Sequence, residues 1–178
     1  MKVIENLLIS LNKQTVKVNP KDVFVIIESL EDKTYEIVKK YHMNIILRKK
    51  LDLKRKGYAL EEAFNYLKEK NKIYDLYFIF DADNILDKNF IKEMLITYKS
   101  GYDIACGYRV IKNKKLNIYS ISSILTFSLL NNISNQNKIK KNLNVILSGT
   151  GFYFSKEVIK DGYNFHSLTE DYELSLYS

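Results

Sequence analysis

Strand-length apolar runs alternate with stretches of helical periodicity over the first hundred residues, and this rhythm limits the fold more than any other feature. Val23-Phe24-Val25-Ile26-Ile27 and Leu76-Tyr77-Phe78-Ile79-Phe80 are continuous apolar runs, with the shorter Asn44-Ile45-Ile46-Leu47 between them. Such runs mark strands buried on both faces. Val3, Ile4, Leu7, Leu8 and Leu11 recur at helical spacing before the first run, and Asp32 is a natural cap for a helix carrying Tyr35, Ile37, Val38 and Tyr41. Tyr58 to Lys68 is rich in helix formers, and a further helix is expected from about Lys88 with Asp87 as its cap. The alternation predicts an α/β chain: a mainly parallel sheet with helices on both faces.

Beyond Gly101 the rhythm changes. One short strand is expected at Ile104-Ala105-Cys106, then an amphipathic helix over Ile118 to Ile133, too interrupted by serine and asparagine to cross a bilayer. That helix could cover the sheet, join two copies or lie on a membrane surface. Gln136 to Asn144 reads as a polar loop.

With 178 residues and 46% hydrophobic content the chain can bury one sizeable core, so 1–178 is expected to be a single domain. A lone cysteine, Cys106, excludes an internal disulfide and reads as a small buried hydrophobe. No charged-then-apolar leader opens the sequence. The net charge of +7 belongs mostly to lysines spread over solvated faces, apart from Arg48 to Lys56, where six of nine residues are basic. These basic residues lack the interleaved aromatics of single-strand binders, so no nucleic-acid partner is expected.

Two acidic clusters carry the chemistry. Asp81-Ala82-Asp83-Asn84 follows directly on an apolar strand, where open α/β sheets place ligands, and its spacing lets both carboxylates approach one hard cation. The same residues also suit a turn. Thr169-Glu170-Asp171 follows Ser148-Gly149-Thr150-Gly151 and offers a carboxylate that could take a proton, while Ser167-Leu168-Thr169-Glu170 equally fits a helix capping box.

Taken together with Lys56-Gly57-Tyr58-Ala59-Leu60 and Phe152, these motifs resemble in order and spacing those of family 2 glycosyltransferases of the inverting GT-A type. The subgroup they most resemble is the bacterial poly-N-acetylglucosamine and cellulose synthases, where Gly107-Tyr108-Arg109 also has a counterpart. The resemblance implies a Rossmann-like sheet and sugar transfer from a UDP-sugar to the hydroxyl of a saccharide or lipid-linked acceptor. It implies Mg²⁺ or Mn²⁺ on Asp83, with Asp81 on the ribose or on the metal through water. Arg48 and Lys56 are implied as helping cations, Glu28 as a contact to the base, and Gly149 and Thr150 as the segment along the sugar. Asp171 would be the general base, its pKa raised by the adjacent Glu170.

The sequence departs from that pattern. The family's first strand should precede the first helix, yet the sequence starts inside that helix, so a sheet lacking its first strand and an open strand edge are expected. Glu28 stands where the family has aspartate, and no Gln-x-x-Arg-Trp motif or membrane helices follow Asp171. A fragment of a larger synthase is therefore expected. Its catalytic face would be cytoplasmic, at the inner face of a membrane reached through missing segments or a membrane protein, with homo-oligomer contacts at the open edge. Two rival readings are a non-catalytic module with the same fold, and a haloacid-dehalogenase-type phosphatase with Asp81 as nucleophile, Asp83 as acid and Val145-Ile146-Leu147-Ser148 as its second motif.

Overall fold

The computed structural model describes residues 2–110, 118–141, 143, 145–147 and 149–177. The chain opens with helix α1 (Lys2–Asn12), then strand β1 (Phe24–Ile27), α2 (Lys33–Lys40), β2 (Asn44–Leu47), α3 (Lys56–Glu69), β3 (Leu76–Ile79), α4 (Phe90–Lys99) and β4 (Ile104–Cys106). Helix α5 (Ile118–Leu129) continues through a π-helical turn, Leu130–Asn135, into α6 (Gln136–Lys140), and β5 (Phe152–Ser155) and α7 (Glu170–Tyr177) complete the order.

Strands β1 and β2 pair in parallel. Strand β5 lies between β3 and β4 and is antiparallel to both, so β3 and β4 run in the same direction with α4 as their crossover. Every residue of β5 is buried, as a central strand requires, and Phe152, Tyr153 and Phe154 are fully enclosed.

Successive strand residues point to opposite faces of a sheet, and the core divides accordingly. Val23 and Val25 pack with Leu7, Leu8 and Leu11 of α1, whereas Ile26 packs with Leu60 of α3, Phe152, Phe154 and Leu174. On β3, Tyr77 and Ile79 join the α3 side, and Phe80 just beyond the strand joins the α1 side. Helices α1 and α3 thus cover opposite faces.

Several local expectations need correction. Asp32 does cap α2, accepting from Thr34 N at 2.8 Å, but Asp87 does not cap α4. Asp87 closes a turn by accepting from Asn89 N, and α4 starts only at Phe90. Its orphan donor at Ile91 N is met instead by buried Gln14, whose Oε1 accepts at 2.9 Å while its Nε2 donates to Ser10 O and Asp87 O. Part of the loop expected over 136–144 is helix α6, with residues 142 and 144 outside those described.

Strand β1, expected to be buried on both faces, is only half-buried at Phe24, Val25 and Ile26. Its edge away from β2 has no neighbour among the described residues. Cys106 is largely enclosed, and burial pushes its thiol pKa up, which suits an inert packing residue.

Candidate active site

The ends of β3 and α7 converge on the first turn of α3. Lys56, the first residue of α3, sends its Nζ to Asp81 Oδ1 at 2.7 Å and lies 3.8 Å from Glu170 Oε1. The same ammonium donates to Gly149 O. One cation therefore joins the Asp81 cluster, the glycine segment and the Glu170-Asp171 cluster, which are far apart in sequence.

Gly57 is what lets α3 come this close. A Cβ there would sit 2.1 Å from Phe165 O, so only glycine admits the chain segment that leads into α7. Around that contact His166 stacks on Tyr58 at 4.4 Å, its Nε2 lies 3.0 Å from Glu61 Oε2, and Arg55 Nη1 donates to His166 O.

Thr150 ties the glycine segment to β3. Its hydroxyl accepts from Asp81 N at 2.6 Å and donates to Asn84 Oδ1 at 2.6 Å, so it fixes the turn that carries both aspartates. Gly149 and Gly151 flank it with φ of +79° and +67°, a region that side chains strain. Asp171 Oδ2 faces Gly149, 3.8 Å from where a Cβ would be, and the missing side chain keeps that space clear. Ser148 of the same motif lies outside the described residues.

At the start of α7, the capping expectation needs a correction. Glu173, not Glu170, reaches back to accept from Ser167 N at 3.0 Å. That leaves Glu170 turned inward: it is buried, and burial raises its carboxyl above the ordinary 4.5, with Lys56 opposing and Asp171 and Asp81 adding to the rise. Buried Tyr163 has a hydroxyl without a hydrogen-bond partner among the described residues, and burial followed by the charges of Glu170, Asp171 and Glu173 pushes its pKa upward. No motif in the sequence had singled out Tyr163 or His166; the only signal was their place in the aromatic-rich stretch before Thr169.

The remaining site residues lie differently. Arg48 is buried and engaged through its two terminal nitrogens: Nη1 donates to Glu28 Oε1 at 2.7 Å and Nη2 to Lys50 O and Leu53 O, while Nε, 3.9 Å from Glu62, has no hydrogen-bond partner among the described residues. It pins the basic loop and holds the otherwise exposed Glu28 at the end of β1. Asp83 is exposed, its carboxylate taking only a 3.3 Å bond from Asn84 Nδ2 among the described contacts.

Among the described residues no three His, Cys, Asp or Glu side chains gather into a protein-only metal cage. The donor set does fit a hard cation of the magnesium type, which takes one or two carboxylates and completes its shell with phosphate oxygens and water. Asp83 is free to bind, and Asp81 keeps one oxygen clear of Lys56.

The family comparison agrees with this arrangement. The glycosyl transferase family 2 model matches residues 2–162. The chain belongs to glycosyl transferase family 2. Its fold is accordingly the GT-A, Rossmann-like α/β fold, and the family supports sugar transfer between a nucleotide-sugar donor and an acceptor. It does not favour the phosphatase reading of Asp81. The match stops before α7, and the structure sets the Asp171 carboxylate against Gly149. No curated protein matches the chain.

Proposed function

We propose that residues 1–178 form a glycosyltransferase catalytic domain that moves a sugar, with inversion, from a UDP-sugar to the hydroxyl of a saccharide or lipid-linked acceptor. The observation that carries this reading is the convergence of both acidic clusters on Lys56. A divalent cation, Mg²⁺ or Mn²⁺, would be held by Asp83 and Asp81 and would neutralise charge on the departing diphosphate.

The chain's own groups do the rest. Lys56 holds Asp81 in place and adds positive charge where the leaving diphosphate gains negative charge. Glu28, fixed by Arg48, reaches the base, and Gly149 and Thr150 run along the sugar. The acceptor oxygen attacks the anomeric carbon from the face opposite the diphosphate, the carbon–oxygen bond to phosphate breaks, and its electron pair leaves with UDP. Asp171 takes the proton from the attacking hydroxyl. Glu170 stays beneath it, buried against Lys56.

No helix among the described residues is long and apolar enough to cross a membrane. Ile121, Leu125, Leu129 and Ile133 form an exposed apolar stripe along α5 and the π-helical turn, which supports contact with a membrane surface, a membrane protein or a second copy. Nucleotide sugars place the catalytic work in the cytoplasm.

The test is UDP release from a panel of UDP-sugars with Mn²⁺ and saccharide acceptors, comparing the native chain with Asp171→Asn. Acceptor-dependent release from one donor, falling at least about 100-fold in the variant, supports the reading. Equal release from both proteins removes Asp171 from the chemistry.

A further inference from the structure

Tyr163, in the segment between β5 and α7, is 3% exposed, and its hydroxyl has no hydrogen-bond partner among the described residues. Its ring is held on three sides: stacked on Phe64 at 5.1 Å, edge-on to Phe165 at 5.1 Å and tilted against Phe154 at 6.2 Å. Phenylalanine would fill this space equally well, and a buried hydroxyl left unpaired is a standing cost. Packing does not need the oxygen.

The hydroxyl lies close to the acidic cluster. Leu60 of α3 and Leu174 of α7 belong to the same buried cluster as Tyr163. Residues four apart share a helix face, so Lys56, one turn before Leu60, and Glu170, one turn before Leu174, stand on the faces turned to that cluster. The charges of Glu170, Asp171 and Glu173 act on the hydroxyl in that order. Glu173 is exposed and spent on Ser167 N, and Asp171 faces Gly149, which leaves Glu170 as the inward acceptor.

Glu170 is a buried carboxylate with weak support. It leans on its own backbone amide, and Lys56 Nζ is 3.8 Å from Oε1, beyond hydrogen-bond length. The ammonium is committed more closely to Asp81 Oδ1, at 2.7 Å, and to Gly149 O. Its contact with Glu170 is the longest of the three and the first to give when a new anion arrives. A buried carboxylate that loses its cation needs another donor.

We propose that Tyr163 is a positioning residue: when the diphosphate of the sugar donor draws Lys56 towards itself, Glu170 keeps its place beneath Asp171 and accepts a hydrogen bond from the Tyr163 hydroxyl. The inference rests on the donor-site reading above. The exchange frees the ammonium for the leaving group without stranding a buried charge. It also keeps the negative charge of Glu170 beside the general base.

The test compares the native chain with Tyr163→Phe, which removes the oxygen and little else. Without ligand, the unfolding midpoint of the variant should be no lower than that of the native chain. By titration calorimetry with saturating Mn²⁺ at pH 8, the Kd for UDP should rise at least about tenfold, because a hydrogen bond to a charged group is lost only in the complex. In a Glu170→Met background, Tyr163→Phe should change the Kd less than about twofold. Lys56, Asp81 and Asp171 are the charged groups around Glu170, and the gap between native and Tyr163→Phe should shrink towards pH 5 as that carboxyl takes up a proton.

Equal Kd for the native chain and Tyr163→Phe would overturn the inference and leave the donor site standing. A lower midpoint without ligand would mean that the hydroxyl already has a partner in the free chain, and a tenfold loss that persists in the Glu170→Met background would give the hydroxyl to a different group; either result overturns it. If the native chain binds no UDP, the donor-site reading falls first and this inference falls with it.

Discussion

Lys56 Nζ sits 2.7 Å from Asp81 Oδ1 and 3.8 Å from Glu170 Oε1, so the first residue of α3 is the electrostatic hinge between the end of β3 and the start of α7. Removing its charge leaves two acidic groups facing each other with nothing between them. Lys56→Met is expected to lower sugar transfer about 100-fold, the scale of losing one preorganised charge partner. Circular dichroism should show a folded chain, because the ammonium is partly exposed. A variant with native activity would remove Lys56 from the donor site.

Gly57→Ala places a Cβ 2.1 Å from the carbonyl oxygen of Phe165. Backbone must move, and overpacking of this kind costs about 2 kcal/mol or more. The unfolding midpoint should fall by at least about 4 °C. Ala substitution at Gly101, where a Cβ meets nothing but φ is +95°, separates backbone strain from collision. If the Gly57 variant loses no more than the Gly101 one, the close approach is not what the glycine serves.

Thr150 has one hydroxyl and two obligations, Asp81 N and Asn84 Oδ1. Thr150→Val keeps the shape and leaves both groups without that partner, at a cost of about 1–3 kcal/mol by denaturant unfolding. Thr150→Ser should recover most of it. If serine fails while valine is tolerated, the methyl group rather than the hydroxyl is what the site needs.

The buried carboxyl of Glu170 makes stability depend on pH in a definite direction. Its folded value is raised above the ordinary 4.5, so in the window between the two the folded chain holds a proton that the unfolded chain has released. Stability therefore falls as pH rises through that window. Glu170→Gln should match the native chain below the window and melt higher above it. Melting curves from pH 4 to 8 that run parallel for the two proteins would contradict the assignment.

Much of the scaffold was legible because its signals are local. The apolar runs at Val23–Ile27 and Leu76–Phe80 contain β1 and β3, and Asp32 caps α2 two residues away. What stayed hidden depends on partners distant in sequence. Gln14 caps α4 across 77 positions, so nothing near Phe90 announced it, and Asp87 was the plausible local candidate. Glu170 and Glu173 are equally acidic near the start of α7, and only the fold of Phe165–Ser167 against α3 decides which one reaches back. The motifs identified Lys56, Asp81 and Glu170 as residue types in order; their meeting at one ammonium is a property of the packed chain. Arg48 illustrates the opposite case: a basic loop suggests phosphate, yet its guanidinium is occupied by Glu28 and two carbonyls.

The central claim, that Asp81 and Asp83 form a donor site together with Lys56, is tested most directly by thermal unfolding with UDP, with Mn²⁺ and with both. Ligand at 100 times its Kd adds about 2.7 kcal/mol of stability, which moves the midpoint of a chain this size by about 5–10 °C. The account predicts a shift that needs both UDP and Mn²⁺, disappears in Asp83→Ala and persists in Asp171→Asn. A cooperative transition that no combination moves, or a shift that survives Asp83→Ala, would contradict it.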